Sequence, residues 1–498
     1  MASTAKNIFW LSFSRILALG LLAVAYIFLF RYLGTFGAGQ HQFVLSFVTI
    51  FGIIIDFGIQ QYVIKRMSEE PDRQKFYFHN FLAIEIVLVL IVYSALAVVA
   101  YFNRYDPVIF HAILVAGLGV ISMGLTYPFL AVMSANGDLK KVAVINFLNS
   151  VINIGFILAT IFFHRYIVFL VANQLTFGII GLFLYYNFVQ KHIGRPEVTS
   201  VFSKIDKEVV KKILLAASPF ALLVGFSTIY NRIDTVLIYR LLGPDQTGLY
   251  ASAYKFFDLI GFFPSVISFS LYPIFVGLMS EKAILQVRET LEKYFRFLIA
   301  IALPIGVGGS LLALQLIVVL AGDDFRPAAP VLSILVWAPA VLLAYIVANS
   351  LVISQLTKLA VIITGINVVV NIVGNLLLLP HFGIKAAATL TVASELIQAI
   401  FYFYFIYSRI TKFSIVKYLW RPIFASAVMG VVLIYVRDLQ VFDFSYGLTS
   451  QFGSSAVKLI GLVMIGAIVY GLTLAILRFF KKNDKVFFMS FFKSNQSV

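Results

Sequence analysis

Long apolar stretches recur along almost the whole chain, and they decide what it can fold into. A helix needs about 20 apolar residues to cross a membrane, and windows of about 19 residues mark fourteen such stretches here. Only 12% of the residues are charged, against about 25% in soluble domains. We therefore predict an all-α polytopic membrane protein with about 14 transmembrane helices. The predicted spans cover residues 8–30, 43–64, 81–102, 108–133, 142–163, 166–190, 213–239, 250–276, 297–320, 330–353, 360–379, 386–407, 422–436 and 456–477.

The thirteenth predicted span is the weakest of the set. Its apolar run covers only 422–436, which is shorter than a bilayer crossing needs. To reach full length, this span would have to recruit part of the polar stretch around Arg437. Twelve or thirteen crossings are therefore the alternatives to fourteen.

The basic residues test the topology, because Lys and Arg collect in cytoplasmic loops. With the N-terminus placed inside, 27 of the 38 Lys and Arg residues lie in inside segments, 8 in outside segments and 3 within spans. This split predicts that both termini are cytoplasmic. Since topology accounts for the net charge of +16, we expect no nucleic-acid partner.

An internal repeat divides the spans. The end of span 1 reads Arg-x-Leu-Gly-x4-Gly over residues 31–39, and the end of span 7 reads the same over residues 240–248, at an offset of 209. Shared loop chemistry is the alternative explanation of one such match, but a second match follows in the same order at an offset of 218. In that match Lys140, Asn149 and Asn153 recur as Lys358, Asn367 and Asn371.

The repeat predicts how the chain is organised. Spans 1–6 would correspond to spans 7–12, and because six is even, equivalent helices cross in the same direction. We predict an N-terminal lobe at 1–190, a cytoplasmic linker at 191–212 and a C-terminal lobe at 213–408. Spans 13 and 14 and a basic cytoplasmic tail occupy 409–498. Two six-helix lobes that rock about a central site form a transporter architecture.

Ionisable residues inside a membrane are costly and usually face a cavity or a partner. Arg15 lies in span 1, from where it could also reach the cytoplasmic headgroups, and Asp56 lies past the middle of span 2. Asp56 is too deep and too short to reach a headgroup. A structural role for Asp56 would need a buried partner, for which Arg15 is the candidate.

Further charged residues lie in spans 7 and 8. Span 7 carries Arg232 and Asp234, and span 8 carries Lys255 and Asp258, which are three residues apart on one helix face. We predict a local ion pair between Lys255 and Asp258. With Arg15 in the inner half of the membrane and Arg232 and Lys255 in the outer half, the cations would line a path suited to an anion such as phosphate.

Other polar residues and the prolines complete the candidate set. Glu395 lies in the middle of span 12 without an obvious partner in the sequence, whereas Glu85 lies near a cytoplasmic end, where we expect it to reach the headgroups. Asparagines in spans 5 and 11 are expected to form hydrogen bonds between helices. Prolines within spans are expected to kink or break helices, as alternating access needs. The asparagines are Asn146, Asn149, Asn153, Asn367, Asn371 and Asn375, and the prolines are Pro128, Pro219, Pro264, Pro273, Pro304 and Pro339.

Sequence signatures of catalysis are missing. The chain has no cysteine, no GxxxxGK[ST] phosphate-binding loop, no HExxH and no GxSxG motif. Its six histidines show no HxxxH spacing. We therefore expect a transporter rather than an enzyme, with no catalytic residue, no metal site and no cofactor.

Several short motifs carry a family resemblance. The chain resembles the polysaccharide transporter family of the multidrug/oligosaccharidyl-lipid/polysaccharide exporter (MOP) superfamily, which comprises the Wzx-type O-antigen and exopolysaccharide flippases. The resemblance covers nearly the whole chain. The motifs are Asn7-Ile-Phe-Trp10, Arg31-Tyr-Leu-Gly34, Asp56-Phe-Gly58, Arg232-Ile-Asp234, Leu242-Gly243-Pro244 and Gly248-Leu-Tyr250-Ala-x-Ala-Tyr-Lys255.

The resemblance implies a fold, a substrate and a location. The fold would be that of the related multidrug antiporters (MATE-like), with two six-helix lobes plus two C-terminal helices. The substrate would be an oligosaccharide on a polyprenyl pyrophosphate carrier, moved from the cytoplasmic to the outer leaflet of a prokaryotic plasma membrane. Membrane lipids and other glycan-assembly proteins would be the further partners.

The candidate site residues fall into two groups. Substrate-binding residues would be the lumen cations and their partners, and the second group would serve coupling or gating, with a proton, sodium or the membrane potential as the open choices of driving force. The first group is Arg15, Asp56, Arg232, Asp234 and Lys255, and the second is Glu395, Asp258, Arg31 and Arg240.

Two other functions stay open at this point. Related multidrug antiporters hold a coupling cation on acidic residues of a lobe, and Asp56, Asp234 and Glu395 could serve in that way. In span 1, however, this chain carries Arg15 and no acidic residue, which disfavours drug export. A membrane glycan polymerase or ligase is the alternative from another class, but it would need a larger outside loop than those predicted here.

Overall fold

The computed structural model describes residues 2–56, 58–164, 167–196, 201–202, 205–437, 439 and 451–479, and all regular structure in this part of the chain is helical. This follows from the composition, because apolar residues dominate and a helix satisfies its own backbone hydrogen bonds in a membrane. The α-helices are α1 Ala2–Asp56, α2 Ile59–Glu69, α3 Gln74–Phe102, α4 Pro107–Gly124, α5 Tyr127–Ala135, α6 Leu139–Phe162, α7 Ile167–Val171, α8 Asn173–Ile193, α9 Lys207–Leu242, α10 Pro244–Ser280, α11 Ile284–Leu311, α12 Ala313–Ala321, α13 Ala329–Leu335, α14 Trp337–Gln355, α15 Thr357–Phe382, α16 Ile384–Arg409, α17 Val416–Arg437 and α18 Gln451–Ile476.

The helices match the predicted spans. Within the described residues, thirteen helical stretches are long and apolar enough to cross a membrane. The first, Gly20–Glu69, has 50 residues, more than twice the length of one crossing. It is broken at Gly34, whose φ of 62° and ψ of −174° are not helical. Divided there, this stretch supplies two predicted spans, and the thirteen stretches then account for all fourteen. The prediction of an all-helical polytopic membrane protein is confirmed.

The thirteenth span is longer than its apolar run. Helix α17 has 22 residues, Val416–Arg437, which is enough to cross a bilayer. Most of the additional length lies on the N-terminal side of the run, before Pro422, and Arg437 is added at the other end. The helix thus includes Arg437, as expected of this span, and residues 438 and 440–450 lie outside the described part of the chain.

Two predicted spans at equivalent places of the repeat are built from two helices each. Span 4 consists of α4 and α5, and span 10 of α13 and α14. Pro128 and Pro339 lie in the first turn of the second helix of each pair. Because proline lacks an N–H and its ring collides with the carbonyl four residues earlier, an unbroken helix through either junction is disfavoured. Helices α10 and α11, by contrast, continue past Pro264, Pro273 and Pro304.

The residues form two compact units, Met1–Gly248 and Leu249–Val498. In the first unit α1 packs against α6 and α9, and α4 packs against α8. In the second unit α14 packs against α16, and α17 and α18 pack together beside α11. The lobes predicted from the repeat divide at the linker instead, and that division stays a prediction.

Small residues allow α4 and α8 to approach closely. A Cβ atom added to Gly119 would lie 2.6 Å from the Cβ atom of Gln174, and one added to Gly178 would lie 2.5 Å from the Cβ atom of Ser122. Two glycines on facing helices therefore bring these two backbones together, as is common between membrane helices.

We expect Gly178→Ala to lower the free energy of unfolding by about 1–3 kcal/mol, because the added methyl group would overlap the Ser122 hydroxyl. Gly155→Ala on α6 is the matched control, since no atom lies within 4 Å of the Cβ position there. Thermal unfolding of both variants in detergent measures the difference. Equal melting temperatures for the two variants would contradict the close packing of α4 against α8.

Candidate functional site

Helix α9 carries the predicted pair of charged residues of span 7. Asp234 is 2% exposed and Arg232 is partly buried. Tyr230, Asp234 and Ile238 follow one another at intervals of four residues and form a buried face of α9. A carboxylate and a guanidinium thus lie two residues apart within one membrane-spanning stretch.

Helix α10 carries the second charged pair. Lys255 Nζ lies 3.8 Å from Asp258 Oδ2, and the two side chains are 16% and 34% exposed. The predicted local ion pair is present. Its spacing of three residues places both groups on one face of the helix.

Of the remaining candidate site residues, two arginines are exposed and two residues belong to α1. Arg31 and Arg240 are exposed and lie near the ends of their helical segments, before Gly34 and Gly243 respectively. Arg15 and Asp56 belong to α1, but their side chains lie outside the described residues. The pairing of Arg15 with Asp56 stays a prediction.

Glu395 lies in a buried polar network that the sequence did not predict. Its side chain is 4% exposed, and the Tyr345 hydroxyl donates a hydrogen bond of 2.7 Å to Glu395 Oε2. Tyr402 lies at the edge of the Tyr345 ring, with the ring centroids 5.9 Å apart. Gln398 Nε2 approaches the Tyr402 hydroxyl at 3.3 Å. The network joins α14 and α16 near the middle of both helices.

Two of the predicted asparagines, Asn153 and Asn367, form hydrogen bonds with neighbouring helices, whereas Asn375 donates to Asn371 on its own helix. Asn173 donates a hydrogen bond of 2.7 Å to Asn153 Oδ1 between α8 and α6. Asn367 on α15 donates to Gln398 Oε1 at 2.7 Å and to the Ser394 carbonyl at 3.2 Å, both on α16. The second set extends the network around Glu395 to a third helix.

Glu85 is not at the headgroups. Its side chain is 0% exposed, and a Cβ atom added to Gly124 would lie 3.6 Å from Glu85 Oε2. The expectation that Glu85 reaches the cytoplasmic interface was wrong, because α3 extends back to Gln74 and carries Glu85 three turns into the helix.

A polar cluster at the ends of α6 and α8 was also missed. His192 Nε2 and Lys141 Nζ each lie 2.8 Å from Asp138 Oδ2. Burial raises the pKa of Asp138, but the hydrogen bonds and positive charges of Lys141 and His192 outweigh that effect and leave the pKa below its usual value of 3.8. Lys141 and Asp138 are three residues apart, whereas His192 is brought in by the packing of α6 against α8.

Asp138 should make stability depend on pH. A carboxyl group whose pKa is lower in the folded than in the unfolded state stabilises the fold at any pH above its unfolded-state pKa. This contribution is lost as the pH falls through the folded-state pKa. We expect Asp138→Asn to lower the unfolding free energy by less than about 1 kcal/mol at neutral pH, and the difference from wild type to shrink below about pH 4. Thermal unfolding across this range measures it, with exposed Asp324→Asn as the control. A difference independent of pH would contradict the assignment.

Metal ligands do not assemble in the described part of the chain. In those residues, no three His, Cys, Asp or Glu side chains come close enough to hold a metal ion. The polar groups that the structure does bring together are carboxylates, amides, phenols and cations inside helices. Such groups can bind and release ions or an anionic headgroup.

Solved structures share this fold. The lipid II flippase MurJ in an inward closed conformation matches with a TM-score of 0.69 and 13% identity, over 94% of this chain and 98% of that chain. An inward-facing multidrug resistance MATE family transporter of the MOP superfamily matches with a TM-score of 0.62 and 13% identity, over 77% and 94%. A MATE protein in complex with MaD3S matches with a TM-score of 0.56 and 15% identity, over 82% and 96%. The TM-scores show a common fold despite the low sequence identities.

Sequence comparison supplies the family. No curated protein sequence matches the chain, but residues 219–377 match the MatE family model. Residues 4–279 match the model of the polysaccharide biosynthesis protein family. Since this second match covers more than half of the 498 residues, the chain belongs to the polysaccharide biosynthesis protein family.

Proposed function

We propose that the protein is a flippase for a polyprenyl-pyrophosphate-linked oligosaccharide. It moves this substrate from the cytoplasmic to the outer leaflet of a prokaryotic plasma membrane by alternating access, for cell-surface polysaccharide biosynthesis. Membrane lipids and the lipid-linked glycan are its partners, and other glycan-assembly proteins supply or consume that glycan.

One observation carries the proposal. Arg232 is partly buried, and Asp234, two residues later on the same transmembrane helix, is buried, in a chain of the polysaccharide biosynthesis protein family. The family match over 4–279 includes all five residues of the proposed substrate site, and Lys255 with Asp258 lies in the next helix. Charged groups at membrane depth are costly and are usually kept for a transported or coupled ion.

The chemistry of these cations suits a pyrophosphate. A guanidinium engages two phosphate oxygens at once, and a lysine ammonium acts as a point charge. In our proposal Arg15, Arg232 and Lys255 attract the pyrophosphate, while Asp56 and Asp234 hold the arginines in place and weaken the binding enough for release. The apolar polyprenyl chain stays in the lipid.

Coupling is proposed for the network in the second unit. Glu395 is a buried acid in the middle of its span, and its hydrogen bond to Tyr345 is within a cluster of neutral polar groups. A change in the charge of Glu395 would alter the packing of α14, α15 and α16 together. A proton, sodium or the membrane potential could drive that change.

The orientation is also proposed, with both termini cytoplasmic. In this cysteine-free chain, Lys211→Cys in the linker should resist an impermeant thiol reagent in intact cells, because basic loops stay inside. Asp324→Cys, which lies in a connection predicted outside, should react. Labelling at Lys211 would overturn the orientation, and protection at Asp324 would contradict the span order.

Complementation tests the function. A strain that lacks its own flippase should regain surface glycan when it expresses this chain, and the lipid-linked precursor that accumulates in the membrane should return to the normal level. Expression of the chain without recovery of surface glycan, in strains that make several different lipid-linked glycans, would contradict the proposal.

A cation-coupled multidrug or small-solute antiporter is the second candidate. It is favoured by the MatE model match at 219–377 and by the fold shared with MATE transporters. Dye efflux from a strain without its own exporters separates the candidates. Efflux without glycan recovery would replace the flippase with the antiporter.

A further inference from the structure

The two copies of the repeated motif have the same backbone geometry. Gly34 has a φ of 62° and a ψ of −174°, and Gly243 has a φ of 88° and a ψ of 177°. A positive φ favours glycine over other residues. Each of these glycines ends one helical segment and is followed directly by the next. The sequence repeat is thus a structural repeat at this place.

The second glycines of the two motifs meet. A Cβ atom added to Gly39 would overlap the Pro244 carbonyl and lie 2.8 Å from the Gly248 nitrogen, and one added to Gly248 would overlap the Thr35 carbonyl and lie 3.1 Å from the Gly39 nitrogen. Each motif therefore contacts the backbone of the other in the same way. We call the contact between 31–39 and 240–248 the glycine clasp.

One side-chain hydrogen bond accompanies the backbone contact. Thr35 Oγ1 donates to Asp245 Oδ1 at 2.5 Å, at an exposed position of the clasp. A solvent-accessible hydrogen bond contributes only about 0.5–1.5 kcal/mol. The atoms nearest to the Cβ positions of Gly39 and Gly248 are backbone atoms, so this contact is one of backbone against backbone. The clasp can exclude a large solute and still open.

We propose that the glycine clasp is the outer gate of the transport path. In the proposed topology both motifs lie at the outer ends of spans 1 and 7, the first spans of the two predicted lobes. The proposal rests on alternating access in the proposed function. The gate is closed in this structure, and it must open for the substrate to leave on the outer side.

A pair of cysteines tests whether the clasp has to open. We expect Thr35→Cys with Asp245→Cys to form a disulfide on mild oxidation, because the two side chains are in contact. Glycan export should fall to the level of cells without the protein and return on reduction. The two single-cysteine variants under the same oxidant are the controls. Unchanged export by the fully cross-linked protein would overturn the proposal.

Glycine variants test the closed contact without any substrate. In the cysteine pair, Gly39→Ala or Gly248→Ala should lower the yield of cross-linked protein, because the methyl group would collide with the facing backbone. Gly155→Ala, which meets no atom within 4 Å, should leave the yield unchanged. Equal yields in all three backgrounds would overturn the clasp.

The two readouts keep the proposals distinguishable. Cross-linking depends on the geometry alone, and transport is scored both as glycan export and as dye efflux. If the chain exports dyes and not glycan, the proposed substrate is wrong, but reversible loss of efflux on cross-linking would still support the gate. If glycan export is established and the cross-linked protein still exports, the gate fails on its own.

Discussion

Replacing Arg232 with alanine is expected to lower glycan export about ten- to a hundredfold while the protein still reaches the membrane. Charge-assisted hydrogen bonds contribute about 1.5–3 kcal/mol, and about 1.4 kcal/mol corresponds to a factor of ten. The loss should be this large because Arg232 is partly buried within a membrane-spanning stretch, so no solvent-exposed cation can take its place at the pyrophosphate. Surface glycan and the amount of protein in the membrane fraction are the measurements.

Two further variants decide what the loss means. Arg232→Lys should recover export only in part, since lysine keeps the charge and lacks the planar group that binds two oxygens. Arg409→Ala, at the exposed end of α16, should export as wild type does. Normal export by Arg232→Ala would remove this residue from the substrate site, and equal losses in Arg232→Ala and Arg409→Ala would indicate a general effect of lost charge.

Replacing Glu395 with glutamine is expected to uncouple transport without unfolding the second unit. Glutamine has almost the same shape and can accept the hydrogen bond from the Tyr345 hydroxyl, but it cannot gain or lose a proton or balance a cation. We expect export to fall about tenfold or more. The residual export should no longer respond to ionophores that collapse the proton or sodium gradient.

The partner of Glu395 provides the contrasting variant. Tyr345→Phe removes the donor and leaves a buried carboxyl group without this hydrogen bond, which should lower the unfolding free energy by about 1–3 kcal/mol. Its export should still respond to the ionophores. Glu289→Gln, at an exposed position on α11, should change neither property. Ionophore-sensitive export by Glu395→Gln would assign Glu395 a structural role only.

Apolar length and charge were enough to predict the architecture. Fourteen predicted spans correspond to the helical stretches of the described residues, because about 20 apolar residues in a row can satisfy their environment only as a membrane helix. The same reasoning made the thirteenth span too short at its N-terminal end. Helix α17 begins at Val416 and includes polar residues before Pro422 that a hydropathy window leaves out.

Some features could also be predicted from residues that lie close together in the sequence. Lys255 and Asp258 pair because three residues separate them on one helix, and Pro128 and Pro339 lie at helix junctions because of their own covalent geometry. In each case the cause lies within one helix or its junction.

The tertiary structure alone decided which groups meet across helices. Glu395 finds Tyr345, 50 residues away, His192 finds Asp138, 54 residues away, and Glu85 is buried rather than at the surface. The repeated motifs were visible in the sequence, but their mutual contact was not. A sequence determines that a polar residue lies in a span, whereas the rotation and depth of each helix against its neighbours decide what that residue contacts.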